Sequence, residues 1–194
     1  MRYADRNGID GLNMRVVAGI LDAGVMSIYH HVANKDDLLD GMVELVAAEI
    51  KIPRQGQAWR PVLSEIAVSA HETFMKHAWV NALWSKRGPG PNKLAHMEAI
   101  LRVLREGGFP VEQACRGYHA VTMHTLGFTL QALDFPVDST NMKAAATAFL
   151  ESADTEAIPY FVEHVEHHLN NPEPGNEFIF MLDLILDGLE RSVK

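Results

Sequence analysis

Residues Asn13–Asp40 read NMRVVAGILDAGVMSIYHHVANKDDLLD, and this stretch decides the fold. Apolar residues recur at helical spacing over 14–21 and again over 25–31, with Asp22-Ala23-Gly24 breaking the pattern between them. Asn13 can cap the first of these helices, because its side-chain oxygen can accept from the free amides of the first turn. Asn34 can cap a third helix in the same way, and Asp36 and Asp37 suit its positive N-terminal end. That helix carries Leu38, Leu39, Met42, Val43, Leu45, Val46 and Ile50 along one broad face. A helix, a tight glycine turn, a helix and a capped third helix form the helix-turn-helix layout.

Outward from this unit the helical period continues. It predicts helices over 59–76, 77–85, 92–106, 111–134, 159–170 and 178–193. Pro and Gly cluster at Pro53–Gly56, Gly88–Pro91 and Pro172–Gly175, and Gly107-Gly108 supplies a C-terminal stop. The stretch 136–156 reads as a loop carrying a short helix around 142–150. Strand alternation is sustained nowhere, so the chain is all-α. The last helix, FIFMLDLILDGL, is apolar nearly all round, which requires either a central burial or a partner subunit.

Composition sets limits on function. The chain has 194 residues, enough for one large domain or two small ones. Lys and Arg number 17 against 25 Asp and Glu, a formal net charge of -8. That balance excludes a polybasic nucleic-acid coat but not a local, sequence-reading contact. Residues 1–54 hold 6 Lys and Arg and 8 Asp and Glu, a net of -2. The single cysteine, Cys115, excludes an internal disulfide, and its surroundings predict a buried, inert thiol. No apolar run approaches the roughly 20 residues that span a bilayer. The N-terminus has no signal-peptide core, so a cytoplasmic protein without a membrane partner is expected.

In detail, Tyr29, His31, Val32, Asn34, Lys35, Leu38 and Leu39 form a Y-x-H-V-x-N-K-x-x-L-L run that resembles the DNA-binding domain of the TetR family of transcriptional repressors. Further stretches resemble the C-terminal domain of its tetracycline-repressor branch. They are GPNKL at 90–94, GGFPVE at 107–112, YHAV at 118–121, GFTLQ at 127–131 and DLILDGLER at 183–191. The resemblance implies a helix-turn-helix DNA-binding domain at 1–50 and an effector-binding and dimerisation domain at 51–194. The family's first helix is longer. Here only Met1–Asn7 precedes Gly8, about one and a half turns, so a truncated first helix with less support beneath the unit is expected. The turn also differs, with Asp22-Ala23 where the family prefers Gly-Val after the leucine.

The resemblance places Arg15, Val25, Met26, Ser27 and His30 at base-facing positions, and Tyr29, His31, Lys35 and the Asn13 cap at phosphates. Arg15 can take a guanine edge bidentately, while Val25 and Met26 can meet only thymine methyls or sugars. Phosphate contacts position the protein without specifying sequence. The resemblance also implies an effector pocket lined by Ile66, Ala70, Phe74, Trp84, Met97, Ile100, Leu101, His119, Thr122 and Met123. An apolar and aromatic lining with a few polar handles suits a small molecule.

His164, His167 and His168 stand at i, i+3 and i+4 and read as a solvated Glu/His face rather than a metal site. His124 reads as structural. No nucleophile elbow, P-loop or strand-linked GxGxxG occurs, so neither an enzyme nor a cofactor is expected. The resulting expectation is a homodimeric, ligand-responsive repressor on a palindromic operator. The alternative is a dimeric small-molecule-binding protein that has lost DNA binding.

Overall fold

The computed structural model describes residues 1–53, 56–134, 139–170 and 176–192. The helices are α1 (Arg2–Asn7), α2 (Met14–Ile20), α3 (Val25–Tyr29), α4 (Lys35–Ala47), α5 (Trp59–Lys76), α6 (Asn81–Trp84), α7 (Pro91–Glu106), α8 (Val111–Asp134), α9 (Ser139–Ser152), α10 (Pro159–Asn170) and α11 (Glu177–Ser192). No strand occurs among the described residues.

Four expectations need correction. The 77–85 segment is not one helix: the backbone of His77 (φ -117, ψ 60) ends α5, and a 3-10 turn over Ala78–Val80 leads into α6. α3 stops at Tyr29, so His30 and His31 lie in the turn beyond it. The stretch read as a loop carries the long helix α9, because the alanine-rich run 143–150 has high helix propensity. Cys115 is exposed, since the period of α8 turns Ala114, Gly117 and Val121 inward and leaves position 115 outside. The Pro172–Gly175 cluster lies outside the described residues.

Three clusters make the core. A small one, Met14, Ala18 and Ile28, holds α2 on α3. A second joins Leu39, Val43 and Val46 of α4 to Ala70 and Phe74 of α5 and to Trp79, Val80 and Trp84 beyond it. The third packs α5, α7, α8 and α11 through Leu63, Ile66, Leu104, Val121, Leu182 and Leu186. Each large side chain buried in this way contributes roughly 1.5–3 kcal/mol. The second cluster matters most for function, because it fastens the helix-turn-helix to the long helices behind it.

The short first helix has the expected length, yet its support is not missing. Ala4 is buried in the second cluster, and Asp5 Oδ1 accepts from Trp79 Nε1 at 2.7 Å and lies 2.7 Å from His77 Nδ1. His77, itself buried, reaches Glu49 Oε2 at 3.2 Å through its other ring nitrogen. One imidazole thus ties α1 to the turn that follows α4. Burial works to raise the Asp5 carboxyl, but the bonds from His77 and Trp79 together hold it below the ordinary carboxylate value.

Candidate functional site

The first candidate surface is built on two asparagine caps. Asn13 Oδ1 accepts from Arg15 N at 3.0 Å and Val16 N at 3.1 Å, fixing the start of α2. Asn34 Oδ1 accepts from Asp37 N at 2.9 Å, while Asp37 Oδ2 accepts from Ala33 N at 2.8 Å, a reciprocal box that fixes the start of α4. Between α2 and α3, Asp22 takes φ 49, the left-handed region. Aspartate is among the few side chains that tolerate it, because its short polar group can bond locally.

On this scaffold Asn13, Arg15, Met26, Ser27, Tyr29, His30, His31 and Lys35 are all exposed, with Met26 at 73%. Val25 differs: it is half-buried against the Met14–Ala18–Ile28 cluster, which leaves less of it for an outside contact. Lys35 Nζ donates to Ile9 O at 3.4 Å, tethering the loop after α1. The Arg15 side chain makes no hydrogen bond or ion pair among the described residues, and its exposed guanidinium is presented outward from the first turn of α2.

The second candidate site lies among α5, α6, α7 and α8. Ala67, Ala70, Phe74, Trp84, His96, Ile100, Val121, Thr122, Thr125 and Leu126 surround a cavity of about 10 Å³. That is room for about one water molecule. Of the ten residues expected here, Ala70, Phe74, Trp84, Ile100 and Thr122 line it. Ile66 instead lines a larger cleft of about 350 Å³ between the start of α5 and the end of α7, with Trp59, Val62, Ala99 and Arg102. Met97 and Leu101 are half-buried outside both, and His119 and Met123 are exposed on the outer side of α8.

Sequence reasoning missed Ala67, His96, Val121, Thr125 and Leu126, and of these His96 matters most for the chemistry. It is 6% exposed, its ring meets Trp84 edge-on with centroids 5.9 Å apart, and its Nδ1 has no hydrogen-bond partner. Burial pushes its pKa down to about 4, so the ring is neutral near pH 7. Thr122 Oγ1 is buried and equally unpartnered. Tyr118 lies close enough to it to temper the rise that burial causes in the phenol pKa, but the pair lacks hydrogen-bond geometry. Thr125, the remaining hydroxyl in the wall, donates to Val121 O at 2.9 Å.

A joint connects the two sites. α7 begins at Gly90-Pro91 without a capping residue of its own. Glu44 of α4 supplies the cap: its carboxylate accepts from Gly90 N at 3.0 Å, Asn92 N at 2.7 Å and Lys93 N at 3.2 Å. Gly90 is required here, because a Cβ would stand 2.5 Å from the Glu44 Cδ. Arg87 pairs with Asp36 at 2.6 Å and Asp40 at 3.3 Å, which holds its guanidinium more firmly protonated. Lys93, buried, donates to the carbonyls of Trp84 and Arg87. The wall residue Trp84 is therefore wired through Lys93 and Arg87 to α4. The signal in the sequence was the GPGP stretch itself: a helix start with no side chain able to cap it needs a cap from elsewhere.

Among the described residues no group of three or more His, Cys, Asp or Glu gathers as a metal ion would need. No helix among them is long and apolar enough to cross a membrane.

Comparison with known proteins bears on both sites. The family model described as "Tetracyclin repressor-like, C-terminal domain" matches residues 52–193. An HTH-type transcriptional regulator of Saccharopolyspora erythraea is 34% identical over 125 residues, covering 63% of this chain and 53% of its own, so the match spans about half of that relative's length. The class D tetracycline repressor protein of Escherichia coli is 25% identical over 193 residues, 98% of this chain and 85% of its own. Among solved structures, the Streptomyces coelicolor protein ActR in complex with actinorhodin superposes with a TM-score of 0.81 at 26% identity, over 99% of this chain and 93% of that one.

Proposed function

The chain belongs to the TetR family of transcriptional regulators, and from that premise we propose a homodimeric repressor that a small molecule releases from its operator. It acts by binding and not by making or breaking bonds. Residues 1–50 serve as the DNA-binding part and 51–194 as the effector-binding and dimerisation part. α3 enters the major groove, Arg15 reads a guanine edge, and Tyr29, His31, Lys35 and the Asn13-capped start of α2 hold phosphates.

The observation that carries this reading is the joint. A cavity of about 10 Å³ admits no drug-sized ligand without displacing its walls. Trp84 and His96 are wall residues on α6 and α7, and those elements are fastened to α4 through Lys93, Arg87 and Glu44. A ligand that opens the cavity therefore favours a different setting of α4, and with it a different spacing of the two recognition helices. Half-sites on one DNA face stand roughly 34–36 Å apart, so a small change in spacing breaks the match. Such a coupling is typically about 1–3 kcal/mol.

The test is fluorescence anisotropy of the chain on labelled DNA from immediately upstream of its own gene, against a scrambled duplex, at two salt concentrations. Preference for the upstream duplex that fades steeply with salt is expected. Arg15→Ala should cost about 1–3 kcal/mol and relax base preference at one position, while Lys35→Ala should weaken all duplexes alike and flatten the salt slope. Two wild-type results would overturn the residue assignment. The net charge of -2 over residues 1–54 favours a second reading, a ligand-binding dimer without DNA recognition. Equal, weak binding to both duplexes with ligand stabilisation intact would select it.

A further inference from the structure

The cavity wall states the chemistry of what it would hold. Its aromatic and aliphatic surfaces come from Phe74, Trp84, Ile100, Val121 and Leu126, no lining residue is acidic, and the one basic side chain, His96, is held neutral by burial. A cation would find no counter-charge. An anion would find none either, because the nearby Lys93 ammonium is already spent on the Trp84 and Arg87 carbonyls. Burying an unpaired charge in such a place is costly.

Against this apolar wall stand two buried atoms without a hydrogen bond in the structure, His96 Nδ1 and Thr122 Oγ1, the latter with the Tyr118 side chain nearby. A buried polar atom left without a partner is destabilising, and what meets it where no protein group does is a water or a ligand group. A threonine hydroxyl can donate or accept, and a neutral imidazole nitrogen does one or the other according to its tautomer. A hydroxyl satisfies both atoms whichever tautomer the imidazole holds, because it donates one hydrogen bond and accepts another. A carbonyl can only accept, so it satisfies both only when Nδ1 carries the proton.

We propose that the α5–α8 cavity takes an uncharged planar aromatic compound bearing a hydroxyl, held between His96 Nδ1 and Thr122 Oγ1 with its ring against Phe74 and Trp84. This rests on reading that cavity as the effector site, and names the class of effector.

The probes are four compounds of one ring system: 2-naphthol, naphthalene, 2-naphthoate and 2-naphthylmethylammonium, measured at pH 7 by equilibrium dialysis with the full chain. 2-Naphthol should bind about tenfold more tightly than naphthalene, the worth of one hydrogen bond, and both charged compounds should bind more weakly than naphthalene. His96→Leu and the near-isosteric Thr122→Val should each bring the ratio of 2-naphthol to naphthalene affinity, measured on the same variant, down toward twofold. Equal affinity for 2-naphthol and naphthalene, a preference that survives both variants, or tightest binding of a charged probe would overturn the assignment. So would binding of none of the four. Release of labelled upstream DNA, measured in parallel, tests the underlying reading separately. A 2-naphthol that binds with the predicted preference and leaves DNA bound would overturn the effector role and not the ligand class.

Discussion

Asp22 shows how one side chain carries two opposed consequences. Its backbone sits at φ 49, where the family prefers glycine, and its carboxylate stands in the turn before α3. Asp22→Gly should stabilise the chain by up to about 1 kcal/mol by removing the left-handed penalty. The same change should also raise DNA affinity by removing a charge that repels phosphates. Urea unfolding and anisotropy at low salt check the two effects. His96 makes a second residue-scale prediction. Its pKa is lowered in the folded chain, to about 4 from the ordinary 6.5, so the unfolded chain binds the proton more readily. Stability is then fully present above pH 6.5 and declines as pH falls toward 4, by roughly 2–3 kcal/mol at most from this ring. His71, also lowered by burial, adds to the same limb. His96→Leu should flatten the decline in part. Asp5 and Glu49, both held below their ordinary values, add a further loss only at lower pH, below about 4. Thermal melts from pH 7 down to about pH 2 read all of this.

At the scale of elements, the capped junction of α4 with α7 is the point where the two candidate sites meet. Glu44→Ala removes the acceptor for three amides at the start of α7 and should cost about 1 kcal/mol or more, as lost caps do. Its larger expected effect is on coupling: DNA binding persists, but ligand no longer reduces it as far. Gly90→Ala should act similarly by a different route, since its Cβ pushes the Glu44 carboxylate out of the cap. Anisotropy titrations with and without 2-naphthol check both, and a wild-type response in each would show that the joint does not transmit. Elements were the most legible level of the sequence. α5 and α8 fall where the period puts them, and both asparagine caps do what their types predict. α9 was less legible, because alanine-rich sequence without a strong apolar stripe gives propensity but little period.

For the whole molecule, α11 poses the remaining question. Phe178, Leu182, Leu186 and Leu189 are buried on the bundle, while Phe180 (61%), Met181 and Leu184 (56%) stay exposed on its other side. Met123 and Leu130 of α8 are exposed as well. Apolar residues in that number on two adjacent helices suit a seam between subunits. Leu184→Asp should leave helical content unchanged, convert the chain to a monomer by light scattering, and weaken operator binding at least tenfold, because two half-sites are no longer held together. A dimeric Leu184→Asp would move the seam elsewhere. Sequence alone determined where the longest helices of the bundle lie, how α2 and α4 are capped, and which family the chain resembles. These depend on spacing within a few residues, which the order of side chains records directly. Only the tertiary structure decided that Glu44 caps a helix 46 residues away. It also decided that His96 and not His119 turns into the cavity, and that the cavity is closed to about the size of a water. Those facts depend on how helices cross and which face each presents to its neighbours, and a period along one helix carries no record of the angle at which another meets it.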